Sequence, residues 1–595
     1  MKNILFDIET NGLLPELTEC HSIVLLDVDT DEMVSCADQE GYTPIADGLE
    51  ILAKAERLIG HNIQDFDLPA LRKLYGFTYL GELHDTLIMS RLVWSDLKEN
   101  DFKFAKKNRE FPMKLIGSHS LGAWGHRLGQ HKISYTGGWG QWSQEMQTYC
   151  EGDIYTNLTL YNKILSKEPT PDSIQLEHDF AAVIRKQEAH GFHFDVVKAN
   201  ALLAKLQSRK ATLEAELQTT FPPWEIREPF LPKVNNKTRG YEKGVMTFKV
   251  KTVVFNAGSR DHIANRLQEI HGWKPEDFTA NGKPKVDEDV LKQLDYPEAE
   301  ILNEYLMLNK RLGQLASGAN AWLKLERGGK MHGRVNTNGC ATHRCTHSKP
   351  NMSQTPSVNA PYGHECRELF YAPKGFKLVG ADLSGLELRC LGHYMARFDD
   401  GAYGEEVVNG DVHTANQKAA GLPTRNNAKT FIYGFLYGAG PAKIGSIVGG
   451  SEAEGKKLIS KFMKATPAIK LLREAVASAF KNKGYLTGLD GRTLPIRGSG
   501  HAAVNMLLQS AGSILCKRST VILYENLTRL GYTFGKDYAL VAHVHDEVQL
   551  IAKEEIATIV GQQAVSAFEE AGTYYDFRCP ITGEFKVGQT WADTH

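Results

Sequence analysis

The chain has 595 residues, of which 42% are hydrophobic and 24% charged, and its formal net charge is −2. This length exceeds what one hydrophobic core supports and predicts roughly three to five packed units. No apolar run approaches the roughly 20 residues that cross a bilayer, and the first residues lack a signal-peptide pattern, so export is not expected. The nine cysteines include no C-x-x-C pair, which indicates reduced thiols.

The first 165 or so residues alternate between strand and helix patterns. Strands are predicted over residues 4–8 and 22–28, and helices over residues 69–75 and 144–166. A polar segment with two prolines, residues 167–173, then interrupts the pattern. We therefore predict an α/β unit that ends near residue 166.

Beyond this break the periodicity changes several times. A long charged helical pattern reaches about Leu217, and residues 219–252 are rich in Pro, Lys, Arg and Asn without a clean period, which predicts a basic, loop-like insertion. Another helical pair is expected over about 299–325. The remaining residues mix short strands with helices and contain no internal repeat, which indicates an irregular α+β body.

Four acids and a tyrosine in the first unit can form a metal site. Asp7 and Glu9 end the first predicted strand and project from one face, where two carboxylates repel each other unless a cation lies between them. Asp67 and Asp153 offer a third and a fourth acid, and Tyr149 precedes Asp153 by one helical turn. Four acids can hold two divalent ions, one activating water and one stabilising a leaving phosphodiester oxygen.

The third acid of this set has alternatives. Asp65 lies closer to Asn62, whereas Asp67 leads directly into the helical pattern that follows it. Asp85 is a lesser candidate, which we interpret as structural. Without the later acids, the first carboxylate pair would be an ordinary solvated strand end.

Two acids in the second half follow apolar strands. Residues 378–382 end in Asp382, and residues 539–550 predict two short strands around a turn that contains Asp546 and Glu547. If both strands join one sheet, Asp382 and Asp546 can share two Mg²⁺ ions that activate a hydroxyl and neutralise a triphosphate. Otherwise both are ordinary turn acids.

The segment between these acids carries a cationic stripe. Arg425, Lys429 and Tyr433 recur at intervals of four, so they fall on one side of a helix. Two cations matched to phosphates and an aromatic ring matched to a base make a triphosphate-binding helix. An ordinary amphipathic helix seldom combines these residues with nearby glycines such as Gly434 and Gly438.

In these segments, and over nearly the whole chain, the sequence resembles family A (Pol I-like) DNA polymerases, with the greatest similarity to replicative polymerases of short-tailed bacteriophages. Residues 426–438 carry the likeness most closely. The acidic set of the first unit resembles 3′→5′ proofreading exonucleases that combine four acids with a tyrosine. The resemblance implies template-directed deoxynucleotidyl transfer to a primer 3′-hydroxyl by a two-metal mechanism, together with proofreading.

The implied fold is a multi-domain α+β protein, in which an N-terminal α/β, ribonuclease H-like exonuclease domain precedes a right-hand polymerase. The implied boundaries are 1–166 for the exonuclease, 167–330 for a linker and thumb with the insertion at 219–252, 331–394 and 491–595 for the palm, and 395–490 for the fingers.

The resemblance also assigns roles to individual residues. The catalytic set is Asp382, Asp546, Glu547, Asp7, Glu9, Asp67, Asp153 and Tyr149. Of these, Glu547 is an accessory acid and Tyr149 orients water. The other six residues bind metal. The nucleotide-binding set is Arg425, Lys429, Tyr433, His413 and Glu387, of which Glu387 excludes ribonucleotides. The DNA-binding set is Arg344, Asn505, Gln509, His545 and Tyr437.

One local departure and one competing pattern lie close together. Family members usually carry Thr-Gly-Arg where this chain has Thr342-His343-Arg344. Cys340, His343, Cys345 and His347 are near enough in sequence to suggest zinc, but their spacing fits no standard zinc finger, and we interpret them as structural.

The implied cofactors are two Mg²⁺ ions in each active site, for which Mn²⁺ can substitute. The implied partners are primer-template DNA and deoxynucleoside triphosphates, with a phage helicase-primase and a single-stranded DNA-binding protein as further candidates and no membrane. Phage relatives can carry a thumb insertion that binds host thioredoxin, but residues 219–252 are shorter, which argues against dependence on thioredoxin and leaves this partner open. We expect the protein in the cytoplasm of an infected bacterial host.

Overall fold

The computed structural model describes residues 2–130, 135–495 and 500–595. Within these ranges, each helix is either too short or too polar to cross a membrane. The chain forms a mixed α+β structure with two main sheets, one near each end of the sequence.

The first unit is a five-stranded sheet with helices packed against it. Its elements are β1 (Asn3–Thr10), β2 (Cys20–Asp27), β3 (Met33–Cys36), α1 (Ile45–Lys54), β4 (Arg57–Gly60), α2 (Asp67–Tyr75), β5 (Glu82–Asp85), α3 (Thr86–Val93), α4 (Leu97–Lys107), α5 (Leu121–Leu128) and α6 (Gln144–Leu165). The strand order is β3-β2-β1-β4-β5, with β1 antiparallel to β2 and parallel to β4. The strands and helices predicted for this unit are confirmed to within a few residues.

The central strand β1 is buried on both of its faces. Ile4 and Phe6 belong to one hydrophobic cluster, whereas Leu5 packs in another cluster with Cys150 and Ile154 of α6. Because side chains alternate along a strand, the odd-numbered residues of β1 face α6. The two acids at positions 7 and 9 therefore project toward this helix.

The long helical pattern after residue 170 is divided in two. The structure has α7 (Pro171–His190), β6 (Phe192–His193) and α8 (Val196–Thr220). The break falls at Gly191, whose φ is 70° and whose added Cβ would lie 2.6 Å from the ring of His332. Glycine adopts this backbone conformation without the steric cost that other residues incur, so α7 ends there.

The predicted loop-like insertion is a β-hairpin, so that prediction was wrong. Strands β7 (Trp224–Phe230) and β8 (Thr247–Val253) pair antiparallel along their whole length, and we call residues 224–253 the basic hairpin. Five consecutive residues in each strand are exposed. Phe248 and Val250 alternate with Lys249 and Lys251 in β8, which was a usable strand signal within the basic segment.

Helices and four further strands follow the basic hairpin. The elements are α9 (Arg260–His271), α10 (Glu288–Leu291), α11 (Pro297–Leu312), a π-helical turn (Gly313–Ser317), α12 (Trp322–Leu325), β9 (Lys330–Met331), β10 (Arg334–Asn336), β11 (Thr346–Ser348), α13 (Gly363–Glu368), β12 (Phe376–Leu383) and α14 (Leu386–Asp399). Helices α8, α9 and α11 share one hydrophobic cluster.

A mostly helical segment comes next. It consists of α15 (Ala402–Asn409), α16 (Val412–Ala420), α17 (Arg425–Leu436), α18 (Pro441–Ser446), α19 (Glu452–Ala465), α20 (Pro467–Lys483), β13 (Tyr485–Thr487) and β14 (Thr493–Pro495). Thr424 caps α17 by accepting a hydrogen bond from the backbone amide of Asn427. Ala428, Phe431 and Ile432 are fully buried on the inner side of α17, which leaves the predicted stripe on its outer side.

The last part of the chain completes the second sheet. It contains α21 (Gly500–Arg529), β15 (Tyr538–Val544), β16 (Glu547–Lys553), α22 (Ala557–Tyr574) and β17 (Gly583–Gly588). The strand order is β15-β16-β12-β17, and all neighbours are antiparallel. The two distant acidic strands thus join one sheet, which was the condition for a site shared by Asp382 and Asp546.

Candidate active sites

The second sheet brings Asp382 and Asp546 to the same end. Asp382 lies near the end of β12, opposite Glu547 of β16 and Glu584 of β17. Asp546 occupies the turn between β15 and β16, where its backbone carbonyl accepts a hydrogen bond from the amide of Leu383 at 3.2 Å. Two acids that are far apart in sequence are thus neighbours through strand pairing.

The carboxylates of this group oppose one another's ionisation. Desolvation by the surrounding protein, followed by the charges of Asp546 and Glu547, raises the pKa of Asp382 to about 7. Desolvation and the charge of Glu387 also raise the pKa of Asp546. A cation between such groups favours their ionised form, and carboxylate oxygens are ligands that Mg²⁺ prefers. The donor set therefore fits a divalent metal ion.

Glu547 differs from the two aspartates because protein donors hold it. Its Oε1 accepts hydrogen bonds from Trp591 Nε1 at 2.7 Å and Gln549 Nε2 at 2.6 Å, and its Oε2 lies 3.0 Å from His595 Nδ1. Burial by itself raises the pKa of Glu547, but His595 and Trp591 outweigh it and the net pKa is lowered. Glu547 is a fixed negative charge beside the aspartates.

Glu387 connects two of the predicted DNA contacts. It lies in the first turn of α14, where its Oε1 accepts a hydrogen bond from Tyr437 Oη at 3.0 Å and lies 3.4 Å from Arg344 Nη2. Burial, followed by the charge of Glu387, raises the pKa of Tyr437 to about 12. The phenol therefore remains a hydrogen-bond donor at neutral pH, and the three side chains form one polar cluster.

The cationic stripe of α17 runs toward the acids. Arg425 and Lys429 are exposed, and Tyr433 is half-buried. Burial, followed by the charges of Glu387 and Asp546, raises the pKa of Tyr433. Tyr433 is thus the residue of the stripe whose ionisation the acidic centre opposes.

Two neighbours modify this stripe. Arg425 Nε lies 2.8 Å from Asp411 Oδ2, but both side chains are largely exposed, and such an ion pair contributes little to stability. The ring of His413 lies 6.4 Å from the ring of Tyr433. Its Nδ1 is buried and has no hydrogen-bond partner among the described residues, which is compatible with a ligand contact.

The other predicted DNA contacts border the same region. Asn505 and Gln509 are half-buried and lie one turn apart on α21. Arg344 and His545 line one small cavity together with later residues of that helix. His545 adopts a left-handed backbone conformation, with φ 58°, at the exposed tip of the β15–β16 turn.

A second acidic centre lies on the first sheet. A carboxylate oxygen of Asp7, one of Glu9 and the Sγ of Cys150 all lie within 4.8 Å of one another, and no other cluster of this kind was found in the described part of the chain. Cys150 Sγ is 3.8 Å from Asp7 Oδ2. The thiol was not predicted, although its three-residue spacing from Asp153 on a helix was a usable signal.

The structure separates the candidates for the third acid. Asp67 opens α2 and is buried, and its burial, followed by the charge of Asp7, raises its pKa well above the usual value. Its Oδ1 is buried without a hydrogen-bond partner among residues that the structure describes. Asp65 instead forms an ion pair with Arg185, whose Nε lies 3.0 Å from Asp65 Oδ1. Asp85 caps α3 by accepting from a backbone amide of that helix at 2.9 Å.

Asp153 and Tyr149 approach this centre from α6. Burial, followed by the charges of Asp7 and Glu9 and then by that of Asp153, raises the pKa of Cys150. Tyr149 is half-buried, and the centroid of its ring lies 5.8 Å from that of the Tyr135 ring, with the two rings tilted by 45°. Crowded carboxylates and one unsatisfied carboxylate oxygen fit a divalent cation here as well.

The Cys/His pattern near residue 343 does not form a metal cluster among the described residues. The Nε2 of His343 lies 3.0 Å from the carbonyl oxygen of Leu92, and Cys345 Sγ lies 3.7 Å from the carbonyl oxygen of Thr337. The structural interpretation of this pattern agrees with these contacts.

Two residues beside Asp382 and Asp546 were not among those predicted. Glu584 lies opposite Asp382 on β17, and His595 contacts Glu547. The short strand β17 was a detectable apolar and polar alternation, but no local pattern connects His595 with a residue on another strand.

Comparisons with known proteins agree on one family. A family model described as DNA polymerase family A matches residues 231–593. The DNA-directed DNA polymerase of Escherichia phage T7 is 38% identical over 100% of this chain and 100% of its own length, and that of Enterobacteria phage T3 is 38% identical over 99% of each. The solved POL domain of Pol1 from M. smegmatis, in complex with DNA primer-template and dNTP, has a TM-score of 0.74 at 16% identity and covers 99% of this chain and 96% of its own, which shows a shared fold.

Proposed function

Because the chain belongs to DNA polymerase family A, we propose that it is a DNA-directed DNA polymerase in which Asp382 and Asp546 hold the metal ions for nucleotidyl transfer. The observation that carries this proposal is the meeting of these acids at one end of a sheet, where the charge of Asp546 also reaches Tyr433 of the α17 stripe and raises its pKa. Residues 331–394 and 491–595 are the palm that bears the acids. Residues 395–490 are the fingers, and residues 167–330 are the linker and thumb.

The acids act as a rigid ligand set. Bound Mg²⁺ ions, or Mn²⁺ in their place, would favour the ionised primer 3′-hydroxyl and neutralise the charge of the triphosphate. Asp382 and Asp546 supply the oxygen ligands, and Glu547 keeps a negative charge beside them because Trp591 and His595 hold it. Strand pairing positions these groups before substrate binds, which lowers the cost of organising the site.

The α17 stripe binds the incoming nucleotide. Arg425 and Lys429 contact phosphates, and the buried Nδ1 of His413 is a further polar contact for them. Tyr433 stacks near the sugar and base. Glu387, held by hydrogen bonding to Tyr437, crowds a ribose 2′-hydroxyl and so favours deoxynucleotides.

The primer-template duplex lies across α21 and the β15–β16 turn. Arg344, Asn505, Gln509, His545 and Tyr437 contact the primer end or the minor groove, where base pairs of correct shape present similar acceptors. Primer-template DNA and dNTP are bound by the M. smegmatis protein that shares this fold, which supports these substrates. We place the activity in the cytoplasm of an infected bacterial host, and a helicase-primase and a single-stranded DNA-binding protein remain predicted partners.

The first unit, residues 1–166, is a ribonuclease H-like 3′→5′ proofreading exonuclease. Asp7, Glu9, Asp67 and Asp153 hold its metal ions, and Tyr149 orients the attacking water. The crowding of Asp7 and Glu9 and the unsatisfied oxygen of Asp67 support this assignment.

A primer-extension assay with Asp546→Ala tests the central proposal. Incorporation should fall by about 10³-fold, the scale expected when a charge-stabilising group at the reacting centre is removed, while digestion of single-stranded DNA continues. Glu555→Ala is the matched control, since Glu555 is an exposed acid beyond the far end of β16. Incorporation that survives Asp546→Ala would contradict the mechanism.

A further inference from the structure

His343 occupies a backbone position that is unfavourable for a residue with a side chain. Its φ is 60°, in the left-handed region that glycine adopts more readily, and it is fully buried. A buried residue retained in this conformation requires stabilising contacts from its surroundings. The side chain of His343 makes such a contact.

The imidazole of His343 reaches the first unit. Its Nε2 lies 3.0 Å from the carbonyl oxygen of Leu92, in the last turn of α3. Burial, followed by the charge of Arg492, lowers the pKa of His343 to about 3, so the ring is neutral and Nε2–H donates. Carbonyls in the last turn of a helix lack partners within the helix, and His343 supplies one.

A second hydrogen bond supports the same contact between units. Ser95 Oγ, just beyond α3, donates to the carbonyl oxygen of Ala341 at 3.3 Å. The end of α3 is therefore bound to residues on each side of position 342. The polymerase segment and the exonuclease unit meet here through side-chain hydrogen bonds.

The other end of α3 borders the exonuclease acids. Asp85 caps the helix, its carboxylate also accepts from the backbone amide of Asn62 at 2.9 Å, and its charge contributes to the raised pKa of Asp67 after burial and Asp7. An eight-residue helix is about 12 Å long at 1.5 Å per residue. One short helix thus connects the neighbourhood of Asp67 with His343.

On its polymerase side, His343 is joined to Arg344. The carbonyl oxygen of His343 accepts from Ser513 Oγ of α21 at 2.8 Å, and the carbonyl oxygen of Arg344 accepts from the amide of Gly339 at 3.1 Å. The guanidinium of Arg344 then lies 3.4 Å from Glu387. A shift of His343 would be transmitted directly to the backbone of Arg344.

We propose that His343 is a positioning residue that fixes Arg344 to helix α3 of the exonuclease unit and thereby limits how often a matched primer end leaves the polymerase centre. This inference rests on the proposed roles of Arg344 and of the N-terminal acids. Loss of the hydrogen bond to Leu92 loosens Arg344, weakens the polymerase's hold on the primer end and increases its removal by the exonuclease.

The matched variants are His343→Gln and His343→Asn. The amide nitrogen of Gln can replace Nε2 and reach Leu92. The side chain of Asn is one methylene shorter, so its amide nitrogen cannot reach Leu92. His343→Gly adds a third case, because glycine relieves the backbone cost but provides no donor. The readout is the number of nucleotides released per nucleotide incorporated on a matched primer-template, together with KM for primer-template and kcat for extension.

Asn and Gly at position 343 should raise release per incorporation and KM roughly five-fold, the scale of one lost neutral hydrogen bond, with kcat and single-strand digestion unchanged. The Gln variant should remain near wild type. His119→Ala is the control for simple loosening of α3, because His119 Nδ1 lies 3.0 Å from Ser90 Oγ on that helix and its ring packs near Trp124 of the same unit.

The result that overturns the inference is wild-type partitioning in the Asn and Gly variants at a temperature where both are folded, or equal effects in Asn, Gln and His119→Ala. Arg344→Ala separates this failure from that of the proposed function. If Arg344→Ala raises KM and the position 343 variants do not, the inference alone is wrong. If Arg344→Ala also leaves KM unchanged, the proposed primer contact is wrong as well.

Discussion

The two acidic centres use similar donors but are built differently. Asp382 and Asp546 meet through the pairing of distant strands, and the side chain of Asp382 keeps an exposed surface although the surrounding protein partly desolvates its carboxylate. Asp67 is only 3% exposed, and a thiol shares the second centre. The difference matches the substrates proposed for them, because the first centre must admit a base pair with a triphosphate and the second a single strand end. On these proposals, similar acids would serve opposite reactions according to the enclosure around them.

The largest effect is expected when the acids of one centre alone are replaced. Asp7→Ala combined with Glu9→Ala should reduce 3′→5′ digestion of single-stranded DNA by about 10³-fold, because the metal-binding charge is lost. Primer extension should be unchanged, since the polymerase acids lie in another sheet. Release of an end-labelled nucleotide measures the first activity, and digestion at the wild-type rate would contradict the assignment.

A smaller effect distinguishes Asp67 from Asp65. Asp67→Asn should lower digestion by about 10²-fold, in the range for losing one charge-stabilising group. Asp65→Asn should leave digestion within about two-fold and lower the free energy of unfolding by about 0–1 kcal/mol, because its partner Arg185 is only partly buried. Single-turnover digestion and thermal unfolding measure the two quantities, and the reverse pattern would assign Asp65 to the metal site.

The nucleotide stripe gives a test that involves the polymerase centre only. The resemblance to family members with Tyr at this position predicts efficient chain termination by dideoxynucleotides, because the hydroxyl of Tyr433 substitutes for the missing 3′-hydroxyl. Tyr433→Phe should raise discrimination against dideoxynucleotides about ten-fold, the scale of one hydrogen bond. Competition between the two nucleotide types in primer extension measures it.

Tyr437→Phe is the control for that substitution, since it removes a phenol that hydrogen-bonds to Glu387. Its discrimination against dideoxynucleotides should stay near that of wild type. Strong discrimination by the unaltered protein would show that Tyr433 does not have this role.

The smallest expected effect is on stability and pH. The pKa of Asp382 rises from its ordinary value of 3.8 to about 7, so in metal-free protein its contribution to stability is present below about pH 4 and is lost as pH rises through 7. Asp382→Asn cannot ionise. The midpoint of thermal unfolding of this variant should exceed that of wild type by a few degrees at about pH 8 in chelator, and the gap should shrink near pH 5.

Added Mg²⁺ should close that gap at about pH 8 by stabilising the ionised wild-type acids. Glu555→Gln, which alters an exposed acid beyond the far end of β16, should show no comparable dependence on pH. A difference in unfolding midpoint that does not change between the two pH values would mean that the pKa of Asp382 is not raised in the folded protein.

The sequence predicts correctly those residues whose local pattern is compatible with only one type of secondary structure. Strands β12, β15 and β16 are apolar runs because they are largely buried, and the spacing of Arg425, Lys429 and Tyr433 already describes a helix with one buried side. Their acids could be found because they end these runs. The roles of these acids remain predictions that the variants above test.

Other features depend on contacts that no local pattern contains. The ring of His332 lies against Gly191 from a distant part of the chain, and both faces of the basic hairpin mix apolar with charged residues, so neither face is buried. His343 and Leu92 are 251 positions apart. The thiol of Cys150 joins the acids only after α6 packs on β1.

The basic hairpin also provides a position for protein engineering. Trp224 and Val253 are paired in register at its base, and the guanidinium carbon of Arg266 lies 4.0 Å from the centroid of the Trp224 ring. The ends of the hairpin are thus held together and anchored to α9, while the residues between them extend into solvent. We therefore expect a shorter turn or an inserted module to replace those residues without separating the flanking helices.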